Sequence, residues 1–383
     1  MNDFERALQK LRHYVERKDF KGWDPFDGLN SKLFQKLPLL KKNKWARLAW
    51  VQFFKRSPVN FRPLTGVPEE DNPKGLALFI LGYARLYRKT GEKEIIPLIR
   101  NLSERLLMLQ SKGYSGAGWG YNFDWQARAF FQPKFTPMAV STAYAAEALM
   151  HAADVLEDEN LLQVALSAAD FILNDLQRTY DQDGDFMFSY SPLDKSQIYN
   201  AGLLAAKTLI RIWKHTGNAE LREEALKVFR YAAKRQKPDG SWTYGTLPHH
   251  QWTDNFHTGY NLEAYYVLKN LTGISDFDPI IKKGTDFYLR NFWTSEGIPR
   301  YFHDRTWPAD MHNPAQLTIV LDKAGLLSHH KELAEKVWQW SINRMQAPDG
   351  RFYYQKHAFY TNKIPYMRWT QAWAFYGLSV LTA

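Results

Sequence analysis

Asp239-Gly240-Ser241-Trp242 is one of six places where a helical stretch runs into a turn containing Gly and usually an aromatic residue, and a second helical stretch follows. The others are Gly22-Trp23-Asp24-Pro25-Phe26-Asp27-Gly28, Gly116-Ala117-Gly118-Trp119-Gly120-Tyr121, Asp183-Gly184-Asp185-Phe186, Glu296-Gly297-Ile298-Pro299 and Asp349-Gly350-Arg351-Phe352. The second stretches open near Asn72, Thr136, Asn200, His257, Asn313 and Trp369, a period of about 60 residues. A lone helical hairpin cannot bury its apolar face, so each repeat must pack on its neighbours. The pattern predicts an all-α chain whose six hairpins close into a ring of six inner and six outer helices, with a cavity at one end. It also predicts a single domain over residues 1–383. Residues 29–71 depart from the period and form a basic, aromatic insertion before the first inner helix.

The helices divide into two kinds. Outer stretches such as 219–236 carry Leu221, Ala225 and Val228 on one face and Arg222, Glu223, Lys227 and Arg230 on the other. The remaining outer stretches are 4–17, 93–110, 160–177, 279–291 and 332–346. Inner stretches such as 142–152, 202–212 and 260–268 are apolar or small on most faces, which marks buried helices. Three of them stop alike, at Thr90-Gly91, Thr216-Gly217 and Thr272-Gly273, each after a basic residue in the preceding turn.

With 45% hydrophobic and 23% charged residues, the 383-residue chain has a globular composition. Aromatic residues make up 15%, including 14 Trp and 21 Tyr, and rings with polar edges suit either a large core or a sugar-binding cleft. The net charge of +10 points to an anionic partner. No nucleic-acid motif accompanies it, so an acidic oligo- or polysaccharide or an anionic membrane surface is expected. The absence of Cys excludes disulfides and thiolate metal sites. No apolar leader and no run long enough to span a bilayer is evident, and the expected location is cytoplasmic, with membrane-peripheral attachment through residues 38–57 as a further expectation. That stretch holds Trp45, Trp50, Lys41, Lys42 and Lys44. It reads either as an interfacial helix or as a helix packed on the ring with a solvated basic face.

Gln236-Lys237-Pro238-Asp239-Gly240-Ser241-Trp242 resembles the QW repeat of squalene and oxidosqualene cyclases, and Gln346-Ala347-Pro348-Asp349-Gly350-Arg351-Phe352 is a near-copy. The resemblance implies the (α/α)6 toroid, or barrel, architecture. Uronate-polysaccharide lyases, glucuronyl C5-epimerases, prenyltransferases and many glycoside hydrolases share it. In the cyclases the turn is structural. Their chemistry does not carry over, because the D-x-D-D and D-D-x-x-D motifs are missing, and the prenyltransferase zinc site needs a Cys. A second likeness, through Gly22 to Ser31 and Asn72 to Leu78, is to toroid proteins associated with bacterial surface-polysaccharide synthesis.

Six of the 11 His lie in the polar segments around the inner-helix starts: 249, 250, 257, 303, 312 and 357. Proton abstraction next to a uronate carboxylate needs a base, a group that neutralises the carboxylate, and an acid. These segments supply His257 as base, Tyr260 as partner acid, and Asn200, Asn313 and Arg368 for the carboxylate. Tyr121, Trp125, Arg128, His250, Trp252, Arg300, His303, His312, Tyr354 and Trp369 complete the expected substrate-binding set. Lyase or C5-epimerase chemistry is the leading reading. Glycoside hydrolysis would instead use two carboxyl groups, best drawn from Asp124 and Asp254, although Asp254 can equally cap the helix that starts near His257. No metal and no cofactor is expected, because adjacent residues such as His249 and His250 rarely share an ion. A non-catalytic glycan-binding component of polysaccharide assembly is the reading from a different class.

Overall fold

The structure is a computed structural model that describes residues 1–128 and 130–382. Its inner helices are Pro73–Thr90, Ala139–Leu156, Tyr199–Thr216, Asn255–Thr272, His312–Lys323 and Trp373–Leu381. Each packs on the next, and the sixth packs on the first, which closes the ring. Their starts lie within about four residues of the expected ones, an error typical of boundaries read from pattern alone. The outer helices are Asp3–Arg17, Ile95–Met108, Glu159–Leu166 with Ala168–Asp175, Ala219–Ala233, Asp278–Asn291 and Lys331–Met345. The third outer helix was expected to be continuous and is broken at Ser167. There the hydroxyl donates back to the Val164 carbonyl at 2.8 Å and also accepts the N–H of Ala117, a local bond that competes with the helix ladder. Among the described residues the strands are two or three residues long and confined to rim loops.

The Gln-Gly-aromatic turns explain how a hairpin is tied to its neighbour. Gln236 Nε2 donates to the carbonyls of Gly240, 3.0 Å, and of Ile280 in the next outer helix, 2.9 Å. Gln346 Nε2 repeats this with Gly350, 3.0 Å, and Ala7, 2.9 Å, so the last turn grips the first outer helix. Gly240 and Gly350 have φ of 93° and 94°, and a Cβ on them would meet the carbonyl oxygens of Lys283 and Lys10 at 2.2 and 2.1 Å. Only Gly satisfies both conditions. Trp242 and Phe352 are buried, and the Trp242 indole donates to the Ala232 carbonyl at the helix end, 3.0 Å.

The ring axis is plugged by charge. Lys207, fully buried, donates to Glu147 at 2.8 Å and to Glu263 at 2.7 Å, and Arg211 reaches Glu147 at 2.6 Å. Buried charges persist only when paired and hydrogen-bonded in this way. The Tyr144 ring lies between Lys207, 5.0 Å away, and Lys74, 4.6 Å away, and so separates this plug from the open end above it.

The insertion folds as short helices leading into Lys44–Arg56. Val51 and Phe54 are its buried face, and the Trp50 indole donates to the Gly28 carbonyl at 2.9 Å. Arg62 anchors the segment to the ring: its Nε meets Asp27 at 2.7 Å, and its other nitrogens reach the Asp24 carbonyl, 2.7 Å, and the Tyr366 hydroxyl, 3.0 Å.

Candidate active site

A cavity of about 670 Å³ opens at the rim where the inner helices begin. Lys74, Val140, Asn200, His257 and Arg368 enter its wall from the starts of five inner helices or the turns just before them. The volume is within the range of small-molecule sites. Aromatic walls are supplied by Tyr121, Trp125, Tyr190, Tyr244, Trp252, Tyr301 and Trp369. Lys44–Arg56 lies along one side and contributes Leu48, Gln52, Lys55 and Arg56, which recur at helical spacing along one stripe.

Asp254 has two jobs at once. Its Oδ1 accepts the backbone N–H of His257 at 3.0 Å and caps the fourth inner helix. Its Oδ2 lies 2.7 Å from His257 Nδ1 and also accepts from the Trp252 indole at 3.0 Å. The cap and the ring contact come from one carboxylate because residues three apart face each other in the first helical turn. With Nδ1 engaged by the carboxylate, the imidazole presents Nε2 as its free nitrogen, an arrangement suited to a base. The N-cap and cavity readings of Asp254 are therefore compatible.

Below His257, Lys74 Nζ donates to the Tyr260 hydroxyl at 3.0 Å, and that hydroxyl lies 2.9 Å from His312 Nε2. Lys74 has no carboxylate partner among the described residues. Its Nζ faces the rings of Tyr144, Tyr260 and Trp373 at 4.6, 4.9 and 5.1 Å. Burial, reinforced by nearby Arg368, holds its amine well below the ordinary lysine range. Burial also keeps the Tyr260 phenol protonated and His312 neutral. Arg368 differs, because Asp24 neutralises it through a paired contact, 2.9 Å at one oxygen, and its guanidinium lies over the Tyr121 ring at 4.7 Å. Arg368 and Trp369 reach the cavity from Met367–Ala372, a π-helical turn that widens the start of the last helix.

Of the residues expected from the sequence, His257, Tyr260, Asp254, Tyr121, Trp125, Arg128, Asn200, His250, Trp252, Arg368 and Trp369 line the cavity. Asn200 brings a buried amide oxygen that has no partner among the described residues. The other six do not line it. The Asp124 carboxylate accepts the Lys134 N–H at 2.9 Å on the loop outside. The Arg300 guanidinium turns to the Asn291 carbonyl, 3.3 Å, and His303 Nδ1 lies 3.3 Å from the Thr253 carbonyl. Asn313 is buried and donates to the Arg300 carbonyl at 2.9 Å. Tyr354 is buried edge-on against Tyr366 at 4.9 Å, and His312 sits one layer beneath Tyr260. Each is near an inner-helix start, but Arg300, His303 and Asn313 are turned to backbone carbonyls, Asp124 is held within its own loop, and Tyr354 and His312 are packed beneath other rings.

Lys74, Tyr190, Tyr244, Tyr301 and the Lys55–Arg56 pair were not expected. Lys74 had a legible signal: it stands in the first turn of the first inner helix, two residues after its cap Asn72, as His257 stands in the first turn of the fourth, three residues after Asp254. Among the described residues no group of three or more His, Asp and Glu is arranged to hold a metal ion.

No family model and no curated protein matches the chain. Solved structures do. A sugar epimerase from a ruminal bacterium superposes with a TM-score of 0.62 at 13% identity, over 83% of this chain and 90% of that one. Cellobiose 2-epimerase from Bacillus thermoamylovorans gives 0.63 at 11% identity, over 83% and 90%. An unsaturated glucuronyl hydrolase specific for heparin gives 0.63 at 14%, over 99% and 95%. The chain is an α/α toroid. At these identities the likeness establishes the fold, and the toroid's activity has to be argued from its own cavity.

Proposed function

We propose that this toroid is a carbohydrate-active enzyme that transfers a proton at a carbon of an acidic, uronate-containing glycan, as a C5-epimerase or a lyase. The observation that carries the reading is His257 held at 2.7 Å by Asp254 in an aromatic-walled cavity whose nearby buried amine, Lys74, has no carboxylate partner among the described residues, so that a substrate carboxylate beside it would favour its charged form. His257 Nε2 takes the proton from the carbon next to the substrate carboxylate. The carboxylate lies against Lys74, with Asn200 as a further contact, and the developing negative charge is stabilised there. Tyr260, protonated and hydrogen-bonded to His312, returns a proton to the other face or to the leaving oxygen.

Two features favour this over hydrolysis with a carboxylate pair. Asp254 is the one carboxylate in the cavity wall among the described residues, and Asp124, its expected partner, is bonded outside it. Neighbours named as sugar epimerases lend support to the epimerase reading, whereas the glucuronyl hydrolase keeps hydrolysis as the rival.

Incubation with uronate oligosaccharides in deuterated water tests the proposal. Deuterium at C5 without cleavage identifies an epimerase, and an unsaturated product absorbing in the ultraviolet identifies a lyase. Saturated fragments, or saccharide binding without turnover, would overturn the proposal in favour of hydrolysis or of a non-catalytic glycan-binding role.

A further inference from the structure

The excess positive charge of this protein is concentrated in one segment. Between Leu29 and Pro68 the sequence has nine of the 50 Lys and Arg and none of the 40 Asp and Glu, so this stretch carries nine of the ten net charges. The ring around it is close to neutral. Arg62 alone of the nine forms an ion pair among the described residues. Lys32, Lys36, Lys41, Lys42 and Lys44 are exposed.

Apolar exposure is concentrated in the same place. Of 15 exposed large hydrophobic residues among the described residues, eight fall in this segment, including Leu39 at 84% and Trp45 at 71% exposure. The helix Pro38–Lys42 buries no residue at all. Monomeric soluble proteins seldom place so many exposed apolar side chains together without a partner. Lysines beside exposed Leu and Trp on a short amphipathic element are the features that insert into the headgroup region of an anionic bilayer.

Its position gives the patch a role. On Lys44–Arg56 the exposed residues Trp45, Ala49 and Phe53 form a stripe next to the one that carries Leu48, Gln52 and Lys55 into the cavity wall. A rim hairpin adjoins it: Asn362 donates to the Ser57 carbonyl at 3.1 Å, and the tip of that hairpin carries Phe359, fully exposed. We infer that this segment docks the toroid on an anionic membrane surface with the cavity mouth beside the bilayer. If the proposed function holds, the saccharide reaches the cavity while carried on a membrane lipid. The docking itself does not depend on that reading.

The test needs no substrate. The full chain is mixed with phosphatidylcholine vesicles, with and without about 30 mol% phosphatidylglycerol, an anionic content that gives a strong surface potential. Sedimentation with the anionic vesicles alone, reversed by salt, is expected. Joint replacement of Lys41, Lys42 and Lys44 by Glu should abolish it. Joint replacement of Leu39, Leu40 and Trp45 by Ser should weaken it at least tenfold, with the thermal transition preserved in both variants. Because the chain has no Cys, an environment-sensitive dye can be placed by Leu40→Cys, Phe359→Cys or Glu157→Cys, the last at the opposite end of an inner helix. The dye should shift to the blue on vesicles at the first two positions and stay unchanged at the third. No binding at low salt, binding unaffected by the apolar substitutions, or a shift at position 157 instead would overturn the inference. Equal dependence on the same residues for binding a soluble acidic polymer would point to that polymer as the partner instead.

Discussion

The ring and the segment draped over its mouth use the same residue types to opposite ends. In the ring, Lys207, Arg211, Glu147 and Glu263 neutralise one another on the axis, and Trp242 and Phe352 lie buried under helix ends. In the segment, Lys41, Lys42 and Lys44 face solvent with no carboxylate partner among the described residues, and Trp45 is exposed. The difference teaches that the high net charge of this chain belongs to a surface and not to the fold. It also separates two contributions to one cavity, since the ring brings His257 and Tyr260 while the segment brings Lys55 and Arg56.

The largest effect should come from testing that division of labour. With a responsive uronate substrate, His257→Gln is expected to lower kcat by about 10² to 10⁴, the usual contribution of general acid–base catalysis. Lys55→Met should raise KM roughly tenfold with kcat nearly unchanged, as expected when a contact serves ground state and transition state alike. A loss of kcat in Lys55→Met equal to that in His257→Gln would erase the distinction.

Stability provides the next contrast. Trp242→Ala should cost about 3–5 kcal/mol in urea unfolding, through lost burial and a cavity under the turn. Trp45→Ala should change stability by less than about 0.5 kcal/mol. Equal costs would mean that the segment is as much a part of the core as the turn is.

The joint between the two regions is expected to be slightly less costly to break. Arg62→Met leaves Asp27 buried beside an apolar side chain, and burial already pushes that carboxyl up to about 6 even with Arg62 present. A loss of about 3 kcal/mol is expected. It should be accompanied by faster proteolysis within residues 29–68 than within the ring. Uniform proteolysis would place the anchor elsewhere.

The smallest effect is a pH dependence. Burial, followed by neighbouring His249, lowers His250 to about 4. Between the unfolded value near 6.5 and about 4, the unfolded chain takes up a proton that the folded chain refuses, so stability falls as pH falls through that window. The melting temperature of the wild type should therefore drop more steeply than that of His250→Gln between pH 6.5 and 4, and the two profiles should run parallel above 7. Parallel profiles throughout would remove the imidazole from the cavity wall.

Much of the architecture is local, and that is why it could be read in advance. A hairpin declares itself through apolar spacing, a Gly stop such as Gly217 and a turn such as Asp239 to Trp242, all within a few residues of one another. The register of the inner helices then indicated which residues stand at the rim, and this placed His257, Asp254, Asn200 and Tyr260 beside one another. The break at Ser167 was missed because a single hydroxyl bonding back to its helix leaves the hydrophobic spacing intact.

What the sequence by itself determined is the repeat, the ring that repeat requires, and the end of the ring that gathers polar residues. Only the tertiary structure decided which of those residues face the cavity. Asp124, Arg300, His303, Asn313 and Tyr354 have suitable chemistry at suitable positions, yet contacts with adjoining loops and aromatic rings occupy them. Lys74 meets Tyr260 at 3.0 Å from another repeat, Asp24 offsets Arg368 from the opposite end of the chain, and Lys44–Arg56 reaches the mouth from an insertion outside the repeat. The physical reason is distance along the chain. Helix formation depends on groups about four residues apart, whereas a polar group becomes a ligand only if no neighbour from a remote segment satisfies it first.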